Sequence, residues 1–214
     1  MSNMSIIIGN KNYSSWSLRA WLALKQTGVP FAEVMVVLRQ PDTAEKLQCH
    51  SPSGKVPVLQ GPHGCIWDTL AICEYLAESF PDAHLWPGKP AARARARSVC
   101  AEMHAGFVAV RSRMPMDLGS NRRTPEMTAD LKQEISRIEE IWQTCRTDFA
   151  QEGPFLFGEF TIADCMFAPV VGRFAGYGVE VTSSSREYMN AVLGWPAMIE
   201  WTTSARQETW TIDI

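Results

Sequence analysis

Asp68 and Thr69, two residues whose side chains carry oxygen, directly precede an apolar stretch that begins at Leu70. Such an oxygen can accept a hydrogen bond from an unpaired backbone N–H at the start of a helix. The start of a helix also presents free N–H groups and a partial positive charge, which together suit a carboxylate ligand. The pair therefore indicates either an ordinary helix cap or a binding site for a carboxylate.

A short unit of turn and strands precedes this pair and has to position it. Gly54 supplies a turn, and Val56-Pro57 opens an apolar strand, where a proline fits because it has no backbone N–H to donate within a sheet. A second strand, residues 65–67, follows a hairpin of about four residues between Gly61 and Gly64. Alone, each of these features is ordinary, and a Val-Pro pair most often marks only an edge strand.

This combination resembles the glutathione-binding half of the glutathione transferase superfamily. In that family a Val followed by a cis-proline presents its backbone to the cysteinyl part of glutathione, and an acidic residue or Gln followed by Ser or Thr holds the γ-glutamyl end. The resemblance places Val56 and Pro57 at the first pair of positions, and Asp68 and Thr69 at the second. The family more often has Glu or Gln followed by Ser at the second pair. The resemblance implies glutathione as co-substrate and no metal.

The loop after the first predicted strand offers three hydroxyl donors at the head of a helix: Tyr13, Ser14 and Ser15. A serine in this place caps the helix by default. Conjugation of glutathione requires its thiolate, whereas a free thiol with a pKa of about 8.5 is mostly protonated at neutral pH. A hydrogen bond donated to the sulfur, or a nearby helix N-terminus, would favour the anion. The loop offers both.

Residues 14–19, Ser-Ser-Trp-Ser-Leu-Arg, resemble the Ser-Ser-Cys-Ser-x-Arg motif of the zeta class, with Arg19 in register. The resemblance assigns the catalytic hydroxyl to Ser14, with Ser15 as the alternative donor. It disfavours Tyr13, because tyrosine-type classes carry their tyrosine in a different register. Trp16 replaces the Cys of the motif, which weakens the transfer of cis–trans isomerase activity on maleylacetoacetate. The replacement also removes the cysteine that the omega and beta classes use for thiol–disulfide exchange.

Further residues are candidates for the rest of the site. Lys55 or Gln40 could meet the glycyl carboxylate of glutathione, and the alternative for Lys55 is an ordinary solvated lysine in a turn. The electrophile pocket is expected between two domains, with Trp16 on one side and a long helix, from Ala91 to about residue 114, on the other. Core packing is the alternative for each of the helix residues that complete this pocket: Met103, His104, Phe107 and Arg111.

The composition of the chain excludes several classes of protein. The chain has 214 residues, 46% of them hydrophobic and 20% charged, which is typical of a soluble globular protein. Its net charge of −3 gives no electrostatic footprint for nucleic acid, and its apolar runs are shorter than the ~20 residues of a transmembrane helix. Residues 1–4 lack the features of a signal peptide. The six cysteines and four histidines are dispersed, which predicts free thiols in a reducing cytosol and no metal site.

The order of predicted elements gives the fold class. Residues 1–82 are interpreted as β-α-β-α-β-β-α, an α/β thioredoxin-like domain, and the proline-rich residues 83–90 as a linker. Residues 91–214 are predicted to be all-helical. Apolar residues at steps of three or four predict a helix seam that packs on a neighbour: Leu131, Ile135, Ile138, Trp142, Cys145 and Phe149. The arginines of residues 91–97 are interpreted as a solvated or interface face and not as a nucleic-acid patch.

Two features extend the resemblance into the second half of the chain. Thr161 and Asp164 form a predicted capping box before a central apolar helix, residues 162–174, and Pro196 opens the last helix. These features resemble the all-α half of glutathione transferases, and residues 85–87, Leu-Trp-Pro, resemble that family's interdomain segment.

The resulting hypothesis is a cytoplasmic glutathione transferase, with the homodimer that is usual for the family. The thiolate of glutathione, stabilised by Ser14, would attack a small hydrophobic electrophile, with neither nucleic acid nor membrane as partner. Two alternatives stay open: a glutathione-dependent isomerase of the zeta type, and a glutathione-binding or interaction module without turnover.

Overall fold

The computed structural model describes residues 4–120, 124–150 and 153–212. Along the chain, a mixed sheet and its helices come first, and helices alone follow. The elements are β1 (Ser5–Ile8), α1 (Ser15–Gln26), β2 (Ala32–Met35), α2 (Thr43–Gln48), β3 (Val58–Gly61), β4 (Gly64–Trp67), α3 (Thr69–Ser79), a 3₁₀ turn (Pro81–Ala83), α4 (Pro90–Ala105), α5 (Val108–Arg113), α6 (Ala129–Phe149), α7 (Ile162–Gly176), α8 (Ser183–Leu193) and α9 (Pro196–Arg206).

The sheet has the strand order β2-β1-β3-β4. β1 runs parallel to β2 and antiparallel to β3, so that Ile7 lies opposite both Val34 and Val58, and β3 forms an antiparallel hairpin with β4. Alternate residues face opposite sides of a strand. Ile6 and Ile8 accordingly join the main core, whereas Ile7 packs in a small cluster on the other face. This parallel β-α-β unit followed by a hairpin and a helix confirms the predicted thioredoxin-like fold.

The helical half of the chain confirms the predicted helix seam and capping box. Asp164 accepts hydrogen bonds from the Thr161 N–H at 2.8 Å and from the Thr161 hydroxyl at 3.1 Å, which closes the start of α7. α7 is buried from Ile162 to Phe174. The buried face of α6 consists of Leu131, Ile135, Ile138, Ile141, Trp142 and Cys145.

The long helix predicted from Ala91 to about residue 114 is wrong, because the chain forms two helices there. α4 ends at Ala105, Phe107 adopts a left-handed backbone with φ 56°, and α5 begins at Val108. Gly106 marks the break: a Cβ on this residue would lie 2.9 Å from the Glu102 carbonyl oxygen. A glycine also costs helix stability, about 1 kcal/mol relative to alanine.

The division into residues 1–82, 83–90 and 91–214 stays a prediction. Leu85 and Trp86 of the proposed linker are buried, and the Leu85 carbonyl accepts a hydrogen bond from the Ile162 N–H at 2.9 Å. Buried side chains from both halves form one continuous cluster. The segment between α3 and α4 therefore packs as part of the core.

All six cysteines are free thiols, and four of them are buried: Cys73, Cys100, Cys145 and Cys165. Burial raises the pKa of the Cys73 thiol to about 12. In the described ranges, no helix is long and apolar enough to cross a membrane, and no group of three or more potential ligands could hold a metal ion.

Candidate active site

Ser14 lies at the head of α1, with its side chain only 7% exposed. Its hydroxyl donates to the Ser17 hydroxyl oxygen at 2.7 Å and makes no capping bond to the helix backbone. Ser17 also accepts the Gly9 N–H at 3.1 Å. The interpretation of Ser14 as a mere cap is therefore not supported by its contacts.

The two other hydroxyl candidates are placed differently. Ser15 is the first residue of α1 and is buried, and its carbonyl accepts a hydrogen bond from Arg19 Nη1 at 3.0 Å. Tyr13 is half-buried, and its backbone N–H donates to the Asn10 carbonyl at 3.1 Å. Its phenol has no hydrogen-bond partner within the described part of the chain.

The bond between Val56 and Pro57 is cis, as the resemblance implies. Pro57 is buried and leads into β3, whereas Val56 is half-buried. Among the described residues, the N–H and C=O of Val56 have no backbone partner. These two groups are thus available to a peptide-like ligand.

Asp68 is the N-cap of α3. One of its carboxylate oxygens accepts the Leu70 N–H at 2.9 Å and the Ala71 N–H at 3.5 Å, so the predicted cap is confirmed. The second oxygen lies 3.5 Å from His104 Nε2, and the Asp68 side chain is 48% exposed. The cap therefore occupies one oxygen and leaves the other for a charged partner.

Thr69 joins the starts of two helices. Its hydroxyl donates to the Trp16 carbonyl at 3.2 Å, which brings the N-terminus of α3 against that of α1. Two positive helix ends meet in this way close to Ser14 and Asp68. Because the Thr69 hydroxyl is engaged by Trp16, its backbone N–H is the group left for a ligand carboxylate.

Lys55 and Gln40 lie in the loops that flank α2, and both are exposed. The Lys55 N–H donates to the Ser51 hydroxyl at 3.2 Å, and the Gln40 N–H donates to the Thr43 hydroxyl at 2.8 Å. Their side chains have no partner in the described ranges and are free to meet a ligand.

Trp16, His104 and Arg111 of the expected electrophile pocket come together. The Trp16 and His104 rings meet edge to face with centroids 5.1 Å apart, and the Arg111 guanidinium lies 5.7 Å from the Trp16 centroid. Met103 and Phe107 lie in the hydrophobic core instead. The helical spacing on which the expected set was based ends at Ala105, so Phe107 lies off that spacing, whereas Met103 is on the buried face of α4.

Arg19 is fully buried beneath Trp16. Its guanidinium lies 4.4 Å from the Trp16 ring centroid, and its Nε donates to the Met166 carbonyl at 2.8 Å. Both of its hydrogen-bond partners are backbone carbonyls, which carry no full negative charge. Arg19 thus fixes the Trp16 ring and links α1 to α7.

Arg173 and Arg111 extend this group of cations. Arg173 donates to the Arg111 carbonyl at 3.0 Å and to the Met114 carbonyl at 2.9 Å, and its Nε is buried without a partner. Burial and the charge of Arg111 lower the pKa of Arg173 to about 10. Burial and the charges of Arg173 and Arg111 lower the pKa of Arg19.

No carboxylate in the described ranges forms an ion pair with Arg19, Arg111 or Arg173. Buried charges in proteins are normally paired. Arg19 and Arg173 are buried, and the three clustered guanidinium groups have no counter-ion among the described residues. They therefore create a positive potential near Trp16, and the potential favours an anionic ligand there.

Comparison with protein families adds the deciding observation. The glutathione S-transferase N-terminal domain matches residues 13–79, and the C-terminal domain of the same family matches residues 90–203. The chain belongs to the glutathione S-transferase family.

Relatives within this family carry different names. A stringent starvation protein A homolog of Histophilus somni is 27% identical over 175 residues, which cover 80% of this chain and 77% of that protein. A protein of Caenorhabditis elegans named "Probable maleylacetoacetate isomerase" is 34% identical over 107 residues, half of either chain.

Solved structures share the fold. A glutathione transferase homolog from Burkholderia GL BGR1 with bound glutathione has a TM-score of 0.74 at 22% identity and covers 96% of this chain and all of its own. A bacterial maleyl pyruvate isomerase of the zeta class also has a TM-score of 0.74, at 21% identity, and covers 97% of this chain and all of its own. At these identities the likeness establishes the fold alone.

Sequence reasoning missed two residues of this transferase-family site. Arg173 was passed over inside the apolar stretch 162–174, although a lone arginine in such a stretch is itself a signal of a buried polar contact. Ser17 was read only as part of the motif, yet it is the partner of the Ser14 hydroxyl.

Proposed function

We propose that the protein is a glutathione transferase in which the Ser14 hydroxyl stabilises the thiolate of bound glutathione. The observation that carries this proposal is the bond between Thr69 and Trp16, which sets the starts of α1 and α3 side by side. One short site then contains the Ser14 hydroxyl, two positive helix ends and the Asp68 oxygen that does not cap α3, which lies 3.5 Å from His104 Nε2. These groups are complementary to a thiolate, a carboxylate and an ammonium group, all of which glutathione carries.

Binding of glutathione would use backbone groups that have no partner among the described residues, together with partly exposed side chains. The Val56 backbone would pair with the cysteinyl amide, and the Thr69 N–H at the start of α3 would hold the γ-glutamyl carboxylate. Asp68 would hold the α-ammonium group through the oxygen that does not cap α3. Lys55 or Gln40 would meet the glycyl carboxylate.

The chemical step would then need only a modest rearrangement. The Ser14 hydroxyl turns from Ser17 to the sulfur, and the thiol proton leaves to solvent. The hydrogen bond and the N-terminus of α1 favour the thiolate, which lowers the thiol pKa. The thiolate attacks the electrophile held near Trp16, forms a carbon–sulfur bond and displaces the leaving group.

The group of unpaired arginines favours a second candidate, a glutathione-dependent isomerase of the zeta type. An isomerase of this kind adds the thiolate to a double bond, allows rotation and releases glutathione unchanged. Arg111 and His104 would hold a carboxylate of the substrate. The names of two relatives, a maleylacetoacetate isomerase and a maleyl pyruvate isomerase, agree with an acidic substrate, whereas Trp16 stands in place of the zeta-class Cys.

Turnover measurements separate these candidates. We expect Ser14→Ala to lower kcat at neutral pH by about 100-fold or more, because the loss of one hydrogen-bond donor to a developing anion typically lowers kcat by about this factor. The KM for glutathione should change much less. Consumption of glutathione with a neutral aryl halide would support the transferase. Turnover of a cis-unsaturated diacid without net loss of glutathione would support the isomerase. Unchanged kcat in Ser14→Ala would refute the role of Ser14 and direct attention to Ser15.

The homodimer and the cytoplasmic location implied by the resemblance are also inferred for this chain. The non-catalytic alternative predicts binding of glutathione without turnover of either substrate.

A further inference from the structure

The loop that carries Ser14 is held by a residue from the far end of the chain, Glu208. One Glu208 oxygen accepts the Lys11 N–H at 2.6 Å, and the other accepts the Asn12 N–H at 3.1 Å. Glu208 follows α9 and is half-buried. A carboxylate that accepts two backbone N–H groups makes charge-assisted hydrogen bonds, which are stronger than neutral ones.

Other contacts fix the same point of the loop. The Trp201 indole N–H donates to the Lys11 carbonyl at 2.9 Å. The Lys11 ammonium pairs with Glu33 at 2.7 Å and lies over the Trp21 and Trp201 rings, 5.4 and 5.3 Å from their centroids. Lys11 is therefore held through its N–H, its C=O and its side chain, and α9 with the residues after it contacts all three.

The held residues connect directly to Ser14. The Ser14 and Tyr13 N–H groups both donate to the Asn10 carbonyl, at 2.8 and 3.1 Å, which makes residues 10–14 one tight turn. A displacement at Lys11 or Asn12 therefore moves the Ser14 hydroxyl relative to a bound sulfur. Catalytic geometry is sensitive to displacements on the order of 1 Å.

We propose that Glu208 is a positioning residue for the Ser14 hydroxyl, and that thiol activation depends on its two hydrogen bonds to the loop. This inference rests on the proposed function. Glu208 does not touch glutathione; it acts through Lys11 and Asn12. Binding of glutathione relies on other elements, the Val56 backbone and the start of α3. Loss of the Glu208 hydrogen bonds should therefore impair activation of the thiol and leave the affinity for glutathione almost unchanged.

Glu208→Gln tests this role. A Gln side chain has one accepting oxygen, so one of the two N–H groups loses its acceptor and faces an NH₂ group instead. We expect faster hydrogen–deuterium exchange in residues 9–17 and a rise of about one pH unit in the pKa of the bound thiol, measured by thiolate absorbance against pH. The dissociation constant of glutathione should change less than about twofold. Glu208→Asp keeps the carboxylate and should recover part of the thiolate signal.

Glu200→Gln is a matched control. Glu200 lies on α9 itself, and it pairs with Lys25 of α1 at 2.8 Å, far along that helix from the loop. This variant removes the same charge from the same end of the chain, together with a contact between α9 and α1. We expect it to leave the exchange of residues 9–17 and the pKa of the bound thiol unchanged.

Each outcome decides the proposal. A higher thiol pKa and faster loop exchange in Glu208→Gln, and not in Glu200→Gln, would support it. Lower thermal stability of Glu208→Gln with an unchanged thiol pKa would overturn it and leave Glu208 a purely structural contact. Unchanged loop exchange would overturn it as well. If glutathione bound to the wild-type protein forms no thiolate, both this inference and the proposed function fail. That result differs from a failure of this inference alone, because it already appears without a mutation.

Discussion

Asp68 has two functions in this account, and two substitutions separate them. One oxygen caps α3, and the other, which lies 3.5 Å from His104 Nε2, is proposed to hold the α-ammonium group of glutathione. Asp68→Asn keeps an oxygen for the cap, because Asn caps helices about as well as Asp. It removes the negative charge. Asp68→Ala removes both the cap and the charge.

The magnitudes follow from the environment of the side chain. A hydrogen bond to a charged group contributes about 1.5–3 kcal/mol, and the 48% exposure of the Asp68 side chain places it at the low end. We therefore expect Asp68→Asn to weaken glutathione binding about tenfold and to change the free energy of unfolding by less than about 0.5 kcal/mol. Asp68→Ala should weaken binding equally and cost about 1–2 kcal/mol of stability, from the lost cap and the positive φ.

Tryptophan fluorescence gives the dissociation constant, and urea denaturation gives the free energy of unfolding. Asp130→Asn is the control for net charge, because Asp130 lies in the first turn of α6, at the start of another helix. It should leave glutathione binding unchanged. Equal affinity of Asp68→Asn and wild type would refute the assignment of the α-ammonium group to Asp68 and leave it a helix cap alone.

Two further predictions concern the hydrogen bonds that hold the site and the core. Thr69→Val removes the hydrogen bond to the Trp16 carbonyl, but that carbonyl keeps its own partner within α1. We therefore expect the free energy of unfolding to fall by only about 0.5–1.5 kcal/mol and glutathione binding to weaken. Thr202→Val is the matched control: it removes a hydroxyl-to-carbonyl bond within α9 and should leave glutathione binding unchanged. Equal glutathione affinity of the two variants would contradict the prediction. Burial raises the pKa of Asp164 to about 6 from its ordinary 3.8, so the native state binds this proton more tightly than the unfolded chain does. Stability relative to Asp164→Asn should therefore rise by up to about 3 kcal/mol as the pH falls from about 7 to about 4, and a flat difference in urea titrations would contradict it.

The sequence predicted well those features that depend on neighbours along the chain. The capping box of Thr161 and Asp164, the cap at Asp68 and the seam of α6 are all local patterns of three or four residues, and the structure confirms them. The resemblance implied the cis bond before Pro57, which composition and periodicity do not contain.

The features that the sequence did not predict depend on the chain's own packing. Gly106 was read as part of one long helix, because a single glycine does not by itself end a helix. The arginine group near Trp16 combines residues of α1, α5 and α7, and Glu208 meets Lys11 across 197 positions of the chain. No local pattern relates residues so far apart, so only the packed structure brings them together.

The most direct test of the central claim is an ultraviolet difference titration of wild type and Ser14→Ala with reduced glutathione near neutral pH. We predict saturable thiolate absorbance in wild type and its loss in Ser14→Ala, while tryptophan fluorescence still reports binding in both. Bound glutathione without thiolate absorbance in the wild-type protein would contradict a transferase that acts through Ser14.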